Sequence, residues 1–281
     1  LNMLLKKILQ FLLRKISEKF FKLKLIYLAE FFSMLRASML MGKFVKVNFD
    51  GLDWIYIWKN SAAVSSVSFY NPQLNYSDLD LFLFKYKPNN GDIIVDVGVE
   101  NGSEIPEFCK LVGTKGKIFA IEADPSCCRR LKKLKKILNL ENLFIIEYAV
   151  GDQNKKIKFS QEIDEKNNRV LLDNTPHQNF IEIKQLTFEE AIKSYNLKTI
   201  DFVKVNIEGA EMNLLKSLEN SNLVIKNWCI SCHDFMGKEF RTFDDVYLWL
   251  KRSNYIVNEY TFEKNKDKWR KFYLFGSKIN I

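Results

Sequence analysis

The residues best placed to do chemistry begin with Asp92-Ile93-Ile94-Val95-Asp96-Val97-Gly98-Val99-Glu100-Asn101-Gly102. A short β-branched run ending in Asp, with glycines two and six positions on, reads as a buried strand entering a tight turn. The next helix is expected to start near Ser103. In an open α/β sheet a nucleotide-like ligand sits at such a turn, outside the carboxyl end of the strand. Gly98 and Gly102 would let the backbone approach that ligand closely. A dinucleotide fingerprint needs glycines at its first, third and sixth positions. Counted from Gly98, those last two are Glu100 and Ser103, so the fingerprint fails. A P-loop fails as well, because no Gly-Lys-Ser/Thr follows.

Further candidates lie at later strand ends. Gly116-Lys117-Ile118-Phe119-Ala120-Ile121-Glu122 is a second strand, and Glu122 lies twenty residues past Gly102. That is the offset at which an acid meets a ribose diol. Asp124-Pro125 then opens a helix, with Asp as N-cap and Pro in the first turn. A third strand, Leu143 to Tyr148, runs into Ala149-Val150-Gly151-Asp152. A fourth is followed by Asn206-Ile207-Glu208-Gly209-Ala210-Glu211, and a fifth, Leu223 to Ser231, by Cys232-His233-Asp234. A histidine there can take a proton from a hydroxyl. The alternative is a strand-end His beside a capping Asp, with no chemistry. Strands alternating with helices predict an α/β fold with a doubly wound, mostly parallel Rossmann-like sheet.

Asp96-Val97-Gly98…Gly102, Ile121-Glu122-Ala123-Asp124-Pro125 and Phe202-Val203-Lys204-Val205-Asn206-Ile207-Glu208-Gly209-Ala210-Glu211 resemble the FkbM-type S-adenosylmethionine (SAM)-dependent methyltransferases. The resemblance runs from about Phe44 to the C-terminus and is densest between Asp92 and Leu218. It implies SAM as cofactor, a sugar, glycan or polyketide hydroxyl as acceptor, and a C-terminal hairpin that closes the sheet with an antiparallel strand. Asp96 and Gly98 would then face the methionine part of SAM, in a loop that also holds Glu100 and Gly102. Glu122, with Ala123 beside it, would take the ribose hydroxyls, and Val150 or Asp152 would lie near the adenine. His233 is the first choice of base and Glu208 the second, with Lys204 paired to Glu208 or Glu211. A divalent metal on Asp234 and Asn206 is conceivable, although Asn is the poorer ligand for a hard cation. The family usually has Asn where this chain has Glu100, and Asp where it has Asn206. A non-catalytic relative that keeps the fold as a membrane or partner-binding module is therefore an alternative. A nucleic-acid methyltransferase suits the pI of 9.1. It lacks an Asn/Asp-Pro-Pro-Tyr/Phe block after the fourth strand, so no nucleic-acid partner is expected.

The elements that must position these residues form one large α/β domain plus an extension, the natural expectation for 281 residues that are 47% hydrophobic. The extension is residues 1–43. The methyltransferase-like domain is 44–281, with a hairpin at 44–58 turning on Asp50-Gly51 and a core at 90–281. Residues 1–50 hold ten Lys/Arg and three acids, so +7 of the net charge of +9 lies there. Leu5, Leu9, Leu12, Ile16, Phe20, Leu23 and Tyr27 recur at helical spacing, with Lys7, Arg14, Lys15, Glu18 and Lys22 roughly opposite. Charges interrupt this stretch too often for a spanning helix. Two readings stay open: contact of residues 1–40 with an anionic membrane surface, or a helix or hairpin packed on the domain or on a twin subunit. Residues 61–87 read as mixed, with helix near Leu79–Tyr86. The run Arg129 to Lys136 reads as a solvated helix face, and 153–180 as a polar, irregular surface excursion near the active site, containing His177. Five cysteines in no zinc pattern point to reduced thiols, hence to a cytoplasmic protein, peripheral at the inner membrane face if the first reading holds.

Overall fold

The structure, a computed structural model of the chain, is described for residues 3–160, 180–260 and 268–279. Asn167, Asn168, Thr175, Pro176 and His177 lie outside those residues. The chain forms two compact units, Leu1–Leu79 with Asn101–Pro106 and Arg129–Leu140, and Asp80–Glu100 with Glu107–Cys128 and Glu141–Ile281.

The first unit takes in more than the 1–43 extension read from the sequence. Helices α1 (Met3–Lys22) and α2 (Ile26–Met41) form a hairpin. It reverses at Lys24, which adopts a left-handed backbone (φ 58°) while the Leu25 amide reaches back to the Phe20 carbonyl. That six-to-one bond closes the helix end. The inward stripe of α2 is small: Ala29, Ser33 and Ala37 are buried. Ser17 of α1 donates to the Ala29 carbonyl at 3.1 Å and pairs with the Ser33 hydroxyl at 2.7 Å. Strands β1 (Lys46–Phe49), β2 (Trp54–Trp58) and β3 (Ser61–Ser65) make an antiparallel meander. The Asp50 side chain accepts the Leu52 and Asp53 amides, which sets the expected turn. Trp54, Tyr56 and Trp58 pack with Val45, Val47 and the alanines of α2 in one core. The mixed reading of 61–87 missed β3, a fully buried strand of small residues without alternation.

The rest of the chain supplies α3 (Leu74–Ser77), α4 (Leu79–Phe82), β4 (Ile93–Val97), α5 (Ile105–Val112), β5 (Lys117–Ile121), α6 (Pro125–Leu138), β6 (Leu143–Ile146) and β7 (Ala149–Val150). There follow β8 (Lys155–Ser160), β9 (Phe180–Leu186), α7 (Phe188–Ile192), β10 (Thr199–Val205), α8 (Glu211–Lys216), β11 (Val224–Ser231), α9 (Phe243–Arg252), β12 (Tyr255–Glu259) and β13 (Tyr273–Lys278). The second unit is built on a seven-stranded sheet in the order β12-β13-β11-β10-β4-β5-β6. Strands β6, β5, β4, β10 and β11 are parallel, and β13 runs antiparallel between β11 and β12. This is the doubly wound sheet with a C-terminal hairpin that the sequence predicts. Strand order reverses between β4 and β10, the point where open sheets leave a crevice for ligands. Residues 155–160 were expected to be irregular; they form β8, which pairs with β9 in a small separate sheet.

In the first unit the basic run on α6 is not simply solvated. Asp53 is fully buried and accepts from Arg129 at 3.1 Å and from Lys133 at 2.6 Å, with Arg130 at 3.7 Å. Arg130 is itself only 1% exposed and donates to the Asn101 side chain. Burial works against the Asp53 charge, but these partners hold its carboxyl below the ordinary range.

Candidate active site

A cavity opens outside the carboxyl ends of β4, β5 and β10, within the second unit. Of the residues singled out in the sequence, Gly98, Glu100, Glu122, Ala123, Val150 and Glu208 line it. Asp96, Gly102, Asp152, Lys204 and His233 do not. The lining also includes Cys127, Tyr148 and Phe159, which the sequence reading did not assign to a pocket, and Asn206, which it set at the strand end as a conceivable metal ligand. Phe159 lies on the strand read as a surface excursion near the active site, but nothing in that polar stretch marked it as a wall residue.

Asp96 and Lys204 support the Gly98 turn from outside the lining. They are register partners on adjacent strands, and the ammonium lies 3.0 Å from one carboxylate oxygen with both side chains buried. The same ammonium donates to the Gly98 carbonyl at 3.2 Å and so fixes the turn. Lys204 thus pairs with Asp96 rather than with the expected Glu208 or Glu211. Gly98 is required by the protein itself: a Cβ there would fall 1.8 Å from the Asn206 carbonyl oxygen, and φ is +76°. Gly102 is similar, with a Cβ falling 2.4 Å from Leu131. Asp152 points elsewhere, toward Lys155 and Gln185.

Glu122 forms one wall. One of its oxygens accepts the Glu100 amide at 2.7 Å, and the other accepts the Ala123 and Asp124 amides, each at 2.8 Å. Burial pushes this carboxyl up to about 7, against the three amides that favour its charged form. Glu100 holds a left-handed backbone at φ 54°.

The block after β10 makes the other notable group. Glu208 lies at φ 52° and Gly209 at φ 96°. A side chain as long as Glu rarely adopts that conformation, and such strain gathers at functional sites. Behind Glu208 sits His233, 2% exposed, with Nε2 3.4 Å from Glu208 and Nδ1 2.7 Å from Glu211. Glu211 is fully buried, accepts the Gly209 amide at 3.0 Å, and takes the Thr242 hydroxyl at 2.9 Å. Burial opposes the charged imidazole, but hydrogen bonds and charge from the two glutamates overcome it and lift His233 to about 10. An imidazole already protonated at neutral pH has no lone pair to take a proton. Asp234 accepts the Thr242 and Phe243 amides and so caps α9. Among the described residues no group of three His, Cys, Asp or Glu side chains could hold a metal ion.

The model of the methyltransferase FkbM domain matches residues 96–257. The chain belongs to the FkbM methyltransferase family. Among solved structures, an FkbM methyltransferase from Methylobacillus flagellatus KT is similar at 15% identity and a TM-score of 0.49. The match covers 72% of this chain and 47% of that one, so the chain spans about half the length of that relative. An Aeropyrum pernix fibrillarin with natively bound S-adenosyl-L-methionine is similar at 12% identity over 83% of this chain and 97% of that one, with a TM-score of 0.44. A SAM-dependent methyltransferase from Aquifex aeolicus is 20% identical over 74% of this chain and 97% of that one, at 0.41. No curated protein matches the sequence. Both departures from the family pattern, Glu100 and Asn206, lie on the cavity wall.

Proposed function

We propose that this chain is a SAM-dependent O-methyltransferase acting on a hydroxyl of a sugar, glycan or related small molecule. The observation that carries the reading is that two carboxylates with different settings, Glu122 and Glu208, face one cavity. The donor set suits the cofactor: Glu122 can accept a ribose hydroxyl, while Val150, Phe159 and Ile121 offer an apolar wall for the adenine. Glu100 and Glu208 add negative charge for a sulfonium cation. Asp96 is too deeply buried for direct contact and acts by holding Lys204, and through it the Gly98 turn.

When bound, SAM supplies an electrophilic methyl group on a positively charged sulfur. The residues of this chain align an acceptor hydroxyl with that group and remove its proton. Glu208 is the base in this reading, in place of His233, because it faces the cavity and His233 is buried and cationic. The imidazolium behind Glu208, 3.4 Å away, orients its carboxylate. The test is calorimetric titration with S-adenosylhomocysteine (SAH), with NADH as control, followed by transfer of radiolabelled methyl to glycan acceptors. SAH binding without NADH binding, then label in an acceptor, is the expected result. Failure to bind SAH would end the reading.

A further inference from the structure

We infer that the N-terminal helical hairpin is a docking surface for an anionic lipid bilayer. Twelve of the twenty-three exposed large apolar side chains among the described residues fall within the first 35 positions. On α1 the stripe Leu4, Leu5, Ile8, Leu9 and Leu12 recurs at helical spacing and is 39–64% exposed. The same face continues into Lys15 and Lys19, and α1 ends at Lys22. On α2, Leu28, Phe31 and Leu35 repeat the pattern, also exposed. Packing within the hairpin uses other positions, Leu13, Ser17, Ala29 and Ser33. A patch of this size left open to water marks an interaction surface.

Charge decides what covers it. Lys19, Lys22 and Lys24 make no ion pair among the described residues. All three acids of residues 1–50 are engaged: Glu18 by Arg14 and Lys15, Glu30 by the Phe49 amide, and Asp50 by Lys133. Any two-fold pairing of this face would bring the lysines of both copies into one interface that holds no unengaged acid from residues 1–50 to offset them. A bilayer with negative headgroups meets both needs, taking the apolar side chains into the interface and the lysines at its charged surface. No helix among the described residues is long and apolar enough to cross a membrane, so contact would be along the surface.

The test is co-sedimentation of the full chain with vesicles of phosphatidylcholine alone and of phosphatidylcholine mixed with phosphatidylglycerol. Binding to the mixed vesicles only is expected, with loss near 1 M salt, where the screening length falls to about 3 Å. Each of Lys19→Gln, Lys22→Gln and Lys24→Gln should weaken binding roughly fivefold, and the three together about a hundredfold. Ile8→Gln with Leu12→Gln should weaken it at least about tenfold through the apolar share. Both positions are exposed, and an unchanged helical circular-dichroism signal shows that the variants fold. Equal binding to both vesicle types, absence of binding, or a dimer in light scattering that the glutamine variants dissolve would each overturn the inference. None of these readouts involves SAM, so the fate of the proposed activity does not affect them.

Discussion

Two buried charge clusters in this chain use similar side chains and balance in opposite directions. Around Asp53, in the first unit, three cations surround one buried carboxylate, and Lys133 also reaches Asp50. Around His233, in the second unit, two carboxylates share one cation. The first cluster is saturated and every member is tied to the fold. The second is short of positive charge, and the shortfall falls on Glu208, whose side chain is 22% exposed and faces the cavity. Saturation builds structure. A charge left partly unmatched beside a cavity is available for chemistry.

The largest expected effect breaks the saturated cluster. Asp53→Ala strands Arg130 in the interior and should lower unfolding stability by about 3–5 kcal/mol in urea denaturation. Glu208→Gln should weigh the other way, costing only about 1–2 kcal/mol of stability through the weakened His233 pair, with SAH affinity retained and turnover lower by about 10²–10⁴-fold. A stability loss in Glu208→Gln as large as that in Asp53→Ala would erase the distinction.

The predicted pH dependences sharpen it. Glu122 must be ionised to accept a ribose hydroxyl beside its three amides, so SAH affinity should rise with pH and level off above about 7. Below that value the change should approach about tenfold per pH unit, and Glu122→Gln should flatten it. His233 has a folded value near 10, above its unfolded value of about 6.5. Between those values the folded chain binds the extra proton. The stabilisation is therefore complete below about 6.5 and is lost as pH rises through about 10. Denaturation midpoints across that range should fall in the parent and stay flatter in His233→Gln. The smallest effect concerns Glu100, where Asn accepts the left-handed backbone more readily. Glu100→Asn should raise stability by up to about 1 kcal/mol in the same denaturation assay.

The central sheet was legible because buried parallel strands announce themselves as β-branched runs ending in Asp or Glu, as at Ile93–Asp96 and Ile118–Glu122. The start of α7 is written in Thr187-Phe188-Glu189-Glu190, a capping box in which Thr187 accepts the Glu190 amide. Strand β3 was not legible, since Ser61–Ser65 carries neither alternation nor bulk. Nor could spacing show that Gly98 and Gly102 are demanded by protein contacts rather than by a ligand. The candidate base needed three dimensions. His233 and Glu211 are 22 residues apart, and only their 2.7 Å contact reveals an imidazole held in its charged form.

All five cysteines are free and buried. Burial pushes the Cys229 and Cys232 thiols up, far from the thiolate that reacts. Alkylating reagents can therefore modify the chain only as fast as it opens, which makes the thiols built-in clocks for local unfolding. Cys127, in the cavity wall, would time the opening of the wall itself. A ligand seated there would be expected to slow that clock more than the one at Cys109.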